Sequence, residues 1–368
     1  MKTLFIIIIT IHGLIHLMGF VKAFNLAIVS QLVQPISRLS GLFWLFSAVL
    51  FLTALLLFLI KIDFWWIIVA IAIVFSQLLI IQNWSDAKYG TIANLILLVP
   101  VLMAFMNAQP SSYQNRFKTE VQKRLKTSVD AGLVSDRDIE HLPSPVQKYL
   151  RYAGVVGKPR VYNFRIIASG SMRMSVKSEW ISINARQYNF YDDPARFFFI
   201  KSKLYGIPFD GLHVYSGSNA TMQIKVASLF QVVDAKGEKM NQSEDVTMFN
   251  DMCLLAPATL IDKKIKWESI DSLTVKAWFT YNNITVSALL YFNNKGELIN
   301  FVSGDRYLSA DGKTYHNYKW STPCRDYKEY NGRKIATSGE AIWHMPEGDF
   351  SYAKFNFSEI EYNCEDYK

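Results

Sequence analysis

Two histidines, His12 and His16, stand four residues apart in a stretch that is apolar almost throughout from residue 3 to residue 21. Imidazoles at i and i+4 leave a helix from the same face, and two such nitrogens can ligate one metal ion or a haem iron. A complete site needs further ligands. The other apolar stretches of the first hundred residues hold no His or Cys, only groups such as Ser47, Thr53, Gln77, Asp86 and Asn94. His12 and His16 are therefore candidates that lack partners for metal chemistry. The pattern favours neutral imidazoles that hydrogen-bond across a helix interface, with Gly13 and Gly19 allowing close approach.

Further along, Glu244 and Asp251 fall on a helical insertion expected to cover the concave face of a sheet, and Asp305 and Arg306 follow a strand. These four are the candidate ligand-binding residues. No catalytic residue is assigned. The chain has no HExxH, GxSxG, Walker or GxGxxG pattern, and His141, His213, His316 and His344 are scattered. Cys253, Cys324 and Cys364 form no CxxC and cannot all pair, so no zinc site or disulfide framework is indicated. Only a Cys324–Cys364 bond stays open. No metal or other cofactor is expected. Nucleic acid is excluded as a partner because no run of Lys and Arg interleaved with aromatics occurs beyond residue 127.

The elements that must position these groups are announced by where charge is missing. Of 39 Lys and Arg and 31 Asp and Glu residues, only seven fall in positions 1–106. Stretches near 3–21, 41–60, 63–82 and 91–106 match the roughly 20 apolar residues that cross a bilayer core, the last being the shortest. A cleaved signal peptide does not fit the first stretch, since Phe20, Lys22 and Phe24 stand where small residues would precede cleavage. Residues 1–106 thus read as a four-helix transmembrane domain of a multi-pass protein of the cytoplasmic membrane. An even number of spans puts both ends of the block on one side. Lys2, Lys61 and the cluster Arg116, Lys118, Lys123, Arg124 and Lys126 share that side against Lys22, Arg38 and Lys88, which favours a cytoplasmic soluble domain.

Residues 107–158 read as amphipathic and linker helices. Tyr113, Phe117, Val121 and Leu125 recur every fourth position among basic side chains, the pattern of a helix lying on a membrane surface. Short helices are expected at Ser135 and from Ser144 as cap, through Pro145, to Gly154. From 159 to 368 the period changes to two, as in Met172–Val176 and Met222–Val226. Turn pairs at Asp193-Pro194, Asp210-Gly211, Lys236-Gly237, Asn282-Asn283, Asp311-Gly312, Asn331-Gly332 and Glu347-Gly348 punctuate about a dozen strands. A helical insertion near 240–262 is expected to start at Ser243 as cap, with Glu244 and Asp245 in its first turn, and to end at Pro257. The fold class is an α-helical membrane block followed by a mainly antiparallel β domain, a curved sheet or half-barrel with a mid-domain helix. Such a sheet encloses an apolar cavity readily. Trp267, Trp320 and Trp343 are assigned to its core.

The segments Leu142-Pro-Ser-Pro-Val-Gln-Lys-Tyr-Leu-Arg151, Phe249-Asn-Asp-Met-Cys253, Asp305-Arg306-Tyr307 and Gly348-Asp-Phe-Ser-Tyr352 resemble an uncharacterised bacterial domain-of-unknown-function family, and the His12–His16 segment resembles its membrane-anchored members. The resemblance implies a bacterial membrane protein and transfers no activity. In outline the β domain is also similar to the half-barrel of bacterial lipoprotein carriers and related lipid-binding modules, an analogy of fold only. The expected function is a membrane-tethered binding module for a lipid or other hydrophobic ligand, with the bilayer itself as partner and no protein partner identified. Two alternatives are a membrane enzyme or redox protein using His12 and His16, and a sensory or scaffolding membrane protein with a large exposed apolar patch.

Overall fold

A computed structural model describes residues 2–125 and 132–368. They form two compact units, Met1–Ser112 and Tyr113–Lys368. The first unit contains α1 (Lys2–Ala23), α2 (Arg38–Leu59), α3 (Trp65–Gln82), the single turn α4 (Trp84–Ala87) and α5 (Gly90–Ala108). All but α4 are long and apolar enough to cross a membrane. Even α5, with 19 residues, comes close to the ~30 Å hydrocarbon core at ~1.5 Å per residue. Ile9, His12, His16 and Gly19 of α1 turn inward, while Ile7, Ile11, Leu14 and Ile15 face outward and are exposed. Gly19 is required there: a Cβ would fall 2.2 Å from the Trp44 ring of α2. At one end of the bundle Asp86 accepts hydrogen bonds from the N–H groups of Val33 and Gln34 at 2.6 and 2.8 Å. That clip joins the α1–α2 connection to the α3–α5 connection, as alternating up and down helices require.

The second unit opens with α6 (Tyr113–Arg124), α7 (Asp136–Ile139) and α8 (Ser144–Tyr152). A meander follows: β1 (Asn163–Met172), β2 (Ile181–Phe190), β3 (Ala195–Leu204), β4 (Ile207–Ser216), β5 (Asn219–Val226) and β6 (Phe230–Lys236). Then come α9 (Glu238–Leu254), a 3-10 turn (Pro257–Ile261), β7 (Ile265–Ser269), β8 (Thr274–Tyr281), β9 (Ile284–Phe292) and β10 (Leu298–Ser303). The chain ends with β11 (Tyr307–Leu308), β12 (His316–Asn317), β13 (Lys319–Ser321), β14 (Cys324–Tyr330), β15 (Arg333–Met345) and β16 (Gly348–Tyr362). One sheet of 14 strands runs β6-β5-β4-β3-β2-β1-β16-β15-β13-β10-β9-β8-β7, with β14 beside β15, and β11 pairs with β12 apart from it. The pairings are antiparallel. From β1 the chain works outward to the β6 edge, crosses through α9 to the β7 edge, and returns to close β16 on β1.

Thirteen of the 17 residues of α9 are buried, so it is a core helix of this unit and not a loose cover. Its start differs from the sequence expectation. Gly237, at φ 101°, turns the chain straight out of β6, so the helix begins at Glu238 and Ser243 lies inside it, its hydroxyl donating to the Lys239 carbonyl at 2.7 Å. Glu244 and Asp245 therefore sit mid-helix, where dipole compensation does not explain them. The helix before Gly154 is capped at Pro143 rather than Ser144, and Val146, Tyr149 and Leu150 are buried in the core as their stripe requires. Asn282 and Asn283, both at positive φ, make the tight hairpin between β8 and β9. The Asp210-Gly211 pair makes no turn: it lies inside β4, and Tyr205 with Gly206 reverses the chain instead.

The amphipathic α6 is also corrected. Its Tyr113, Phe117 and Val121 are buried with Phe197, Phe199 and Leu212 of the sheet, so this apolar stripe faces protein and not a membrane surface. Tyr188, Phe197 and Phe199 make the outer face of β2 and β3 aromatic, and an apolar sheet face needs cover. Two of the basic side chains follow the helix onto the sheet: Arg124 pairs with Asp193 at 2.7 Å and Arg116 donates to Gln223 at 2.8 Å. Lys126 lies outside the described residues.

Candidate functional site

Strand register aims one face of the sheet at α9. Gln187, Phe198, His213, Met222 and Ala235 are successive cross-strand partners from β2 to β6. Flanking rows on the same face carry Asn189, Arg196 and Tyr215 on one side, and Ala185, Ile200, Gly211 and Ile224 on the other. Between this face and α9 lies a cavity of about 290 Å³. Ile183, Ala185, Ile200, Ile224, Val233 and Phe355 make much of its wall, and its charged groups gather at α9 and beside Trp320 and Trp343. The volume is near the lower end of small-molecule sites, roughly 300–1,000 Å³.

Arg196 holds the α9 side together. Its Nε donates to Asp251 at 2.8 Å, one terminal nitrogen to Glu244 at 3.2 Å, and the other to the Gln187 side-chain carbonyl at 3.3 Å. Gln187 and Asn189 add amide donors to Asp251 at 2.7 and 3.0 Å, and His213 Nδ1 meets Glu244 at 3.2 Å. Burial alone would raise the Glu244 carboxyl, but the Arg196 guanidinium and His213 more than offset it and hold it at about 2. Asp245, one residue on, behaves oppositely. Burial and the Glu244 charge push it up to about 7 although the Tyr215 hydroxyl donates to Oδ1; Oδ2 has no partner among the described residues.

The four residues singled out from sequence do not converge as a set. Glu244, Asp251 and Arg306 line the cavity, whereas Asp305 does not. Its carboxylate accepts from the Ser287 N–H and hydroxyl at 2.6 and 2.8 Å, a clamp between β9 and the segment after β10. Arg306 lies over the rings of Trp320 and Trp343, 4.4 and 5.3 Å from their centroids, and donates to Thr247 and to the Tyr352 hydroxyl at 3.3 and 3.2 Å. Trp320 and Trp343 are thus cavity wall as well as core. Arg196, Gln187 and His213 were missed. One signal was available for Arg196: a lone cation inside the aromatic run Ala195-Arg-Phe-Phe-Phe199 is costly to bury and must find carboxylates.

Other groupings offer less. His12 Nε2 lies 3.1 Å from the Ser76 hydroxyl and 2.9 Å from Asn94, while His16 uses Nε2 on Ser76 at 2.9 Å and Nδ1 on the His12 carbonyl at 2.7 Å. Both imidazoles are bound into a cross-helix network beside a cavity of about 360 Å³. Cys324 and Cys364 are free buried thiols that donate to separate carbonyls, of Leu298 and Glu361. Ser321, His344 and Asp349 form a chain of 2.8 and 2.7 Å in the order of a hydrolytic triad. Ser321 is buried within a paired strand, however, and the following N–H, of Thr322, is bonded to the Phe301 carbonyl and cannot serve an oxyanion. The chain is a cross-strand hydrogen-bond row.

The model of a family of unknown function, DUF6544, matches residues 132–355, more than half of the sequence. The chain belongs to DUF6544. The DUF6544 segment carries Arg196, Glu244, Asp251 and Arg306 and none of the four membrane-length helices. No curated protein matches. Among solved structures the chain is similar to a LolA superfamily protein from Nitrosomonas europaea, at 10% identity and a TM-score of 0.34, covering 59% of this chain and 93% of that one. It is similar as well to a DUF1329 family protein from Desulfovibrio piger, at 12% identity and a TM-score of 0.33, covering 60% and 92%.

Proposed function

We propose that the second unit of this DUF6544 protein is a binding module for a lipid or other apolar ligand, tethered to the bacterial cytoplasmic membrane by α1, α2, α3 and α5. The observation that carries this reading is the cavity, walled by Ile, Ala, Val and Phe side chains of a curved sheet and backed by a buried helix. An apolar wall with a few fixed polar groups is the usual composition of a small-molecule site. Tethering shortens the path between bilayer and cavity. The rival redox reading is not favoured, because both ring nitrogens of His16 are already hydrogen-bonded within the bundle.

The test is extraction of the full-length protein in a mild detergent, followed by mass spectrometry of the purified complex under native conditions. A lipid of defined mass that survives washing supports the module. A protein that emerges without lipid and takes up none from added vesicles sinks it.

A further inference from the structure

Two guanidinium groups line the cavity with no carboxylate in salt-bridge contact among the described residues, although the charge of Arg306 reaches Glu244 and helps to hold its carboxyl down. Arg306 bonds only to the neutral oxygens of Thr247 and Tyr352, at 3.3 and 3.2 Å, and its second terminal nitrogen makes no hydrogen bond among the described residues. Arg173 donates to the carbonyls of Ser351 and Val176 at 2.7 and 3.1 Å, and its other terminal nitrogen is likewise unbonded. They flank one aromatic cluster. Arg173 lies 5.5 Å from the Phe350 centroid, Phe350 is 6.2 Å from Tyr352, and the Tyr352 hydroxyl accepts from Arg306. The cavity's acids already have cations: Glu244 and Asp251 share Arg196, and Glu340 faces Lys354 at 3.5 Å.

From this arrangement we infer that the cavity takes an amphiphile with an acidic head, a carboxylate or phosphate, read by Arg306 with Arg173 while its tail lies against Ile200, Ile224 and Phe355. The inference rests on the apolar-ligand reading and narrows it. A guanidinium held over aromatic faces keeps the N–H donors at its own edge available to an oxyanion. A neutral head would leave those donors without a charged hydrogen-bond acceptor. The segments Asp305-Arg306-Tyr307 and Gly348-Asp-Phe-Ser-Tyr352, separate in sequence, supply the guanidinium of Arg306 and the Tyr352 hydroxyl that accepts from it.

The experiment uses the full-length chain in amphipol, loaded with the neutral fluorophore N-phenyl-1-naphthylamine and titrated with dodecanoic acid, dodecyl phosphate or methyl dodecanoate. Charge-assisted hydrogen bonds predict that at least one acid displaces the fluorophore about tenfold more tightly than the ester. Which acid is tighter identifies the head. In Arg306→Gln, and more weakly in Arg173→Gln, the ratio of acid to ester affinity should fall towards one; Arg306→Lys should keep part of it. If the ester competes as well as both acids in the wild type, the acidic-head inference is overturned while the apolar cavity stands. Failure of the fluorophore and all three competitors to bind overturns both.

Discussion

At the scale of single residues the site turns on charges held out of water. Removing one partner of a buried ion pair strands the other, at a cost of about 3–5 kcal/mol. Arg196→Met strands both Glu244 and Asp251, so the second unit should lose about that much in denaturant titration. The triple variant that also carries Glu244→Gln and Asp251→Asn should recover most of it; a single variant as stable as wild type would refute the network's role. Asp245 gives a pH test of opposite sign to Glu244. The folded Asp245 keeps its proton up to about 7 against 3.8 for a free carboxyl, so its contribution is full below 3.8 and is lost as pH rises to about 7. Glu244, held at about 2 against 4.5, contributes above 4.5 and loses that contribution as pH falls to about 2. Unfolding midpoints of Asp245→Asn measured from pH 5 to 8 should therefore be flatter than wild type, with a gain on the order of a few kcal/mol at pH 8. Equal slopes would mean that Asp245 is not held protonated. Glu244 and Asp251 were legible in the sequence because the helical insertion expected to cover the sheet carries them. Arg196 and His213 were not, since strand register alone brings them there and register is not written in any one segment.

At the scale of elements, helix and strand periods were readable, while the partner of each apolar face was not. The spacing of Tyr113, Phe117 and Val121 states that α6 has an apolar stripe, and a bilayer surface and a sheet satisfy that stripe equally well. Only the aromatic outer face of β2 and β3 decides it. The start of α9 was misplaced for a similar reason: Ser243 followed by two acids looks like a cap, but Gly237 turns the chain earlier. Gly211 supplies a test at this scale. It sits in β4 between Ile200 and Ile224, its φ is not in the left-handed region, and the nearest atom to an added Cβ is Ile200 Cβ at 3.8 Å. A branched side chain there suits a strand better than glycine does. Gly211→Val should therefore leave the second unit folded, with an unchanged or raised melting temperature, and weaken binding of an apolar fluorophore at least several-fold by narrowing the cavity. Undiminished binding would place the ligand elsewhere.

At the scale of the molecule, the four apolar helices were the most legible feature, because a stretch of about 20 residues without charge has few other uses. Their number fixes a relation between remote points of the chain. With four spans, the α1–α2 connection lies on one side of the membrane and the segment after α5 on the other. We propose from the charge distribution that the latter lies in the cytoplasm. Impermeant thiol labelling of intact cells tests this directly, since Cys253, Cys324 and Cys364 are buried and give little background. Ile28→Cys, at a position 99% exposed in the α1–α2 connection, should label from outside; Lys263→Cys, on the surface beyond the 3-10 turn, should label only after lysis. Labelling of both from outside would mean that α5, interrupted by Pro100, does not cross and that the second unit lies outside the cytoplasm. The reverse pattern would keep four spans and overturn the charge argument. Each outcome also names the side of the membrane on which the second unit would meet an acidic amphiphile.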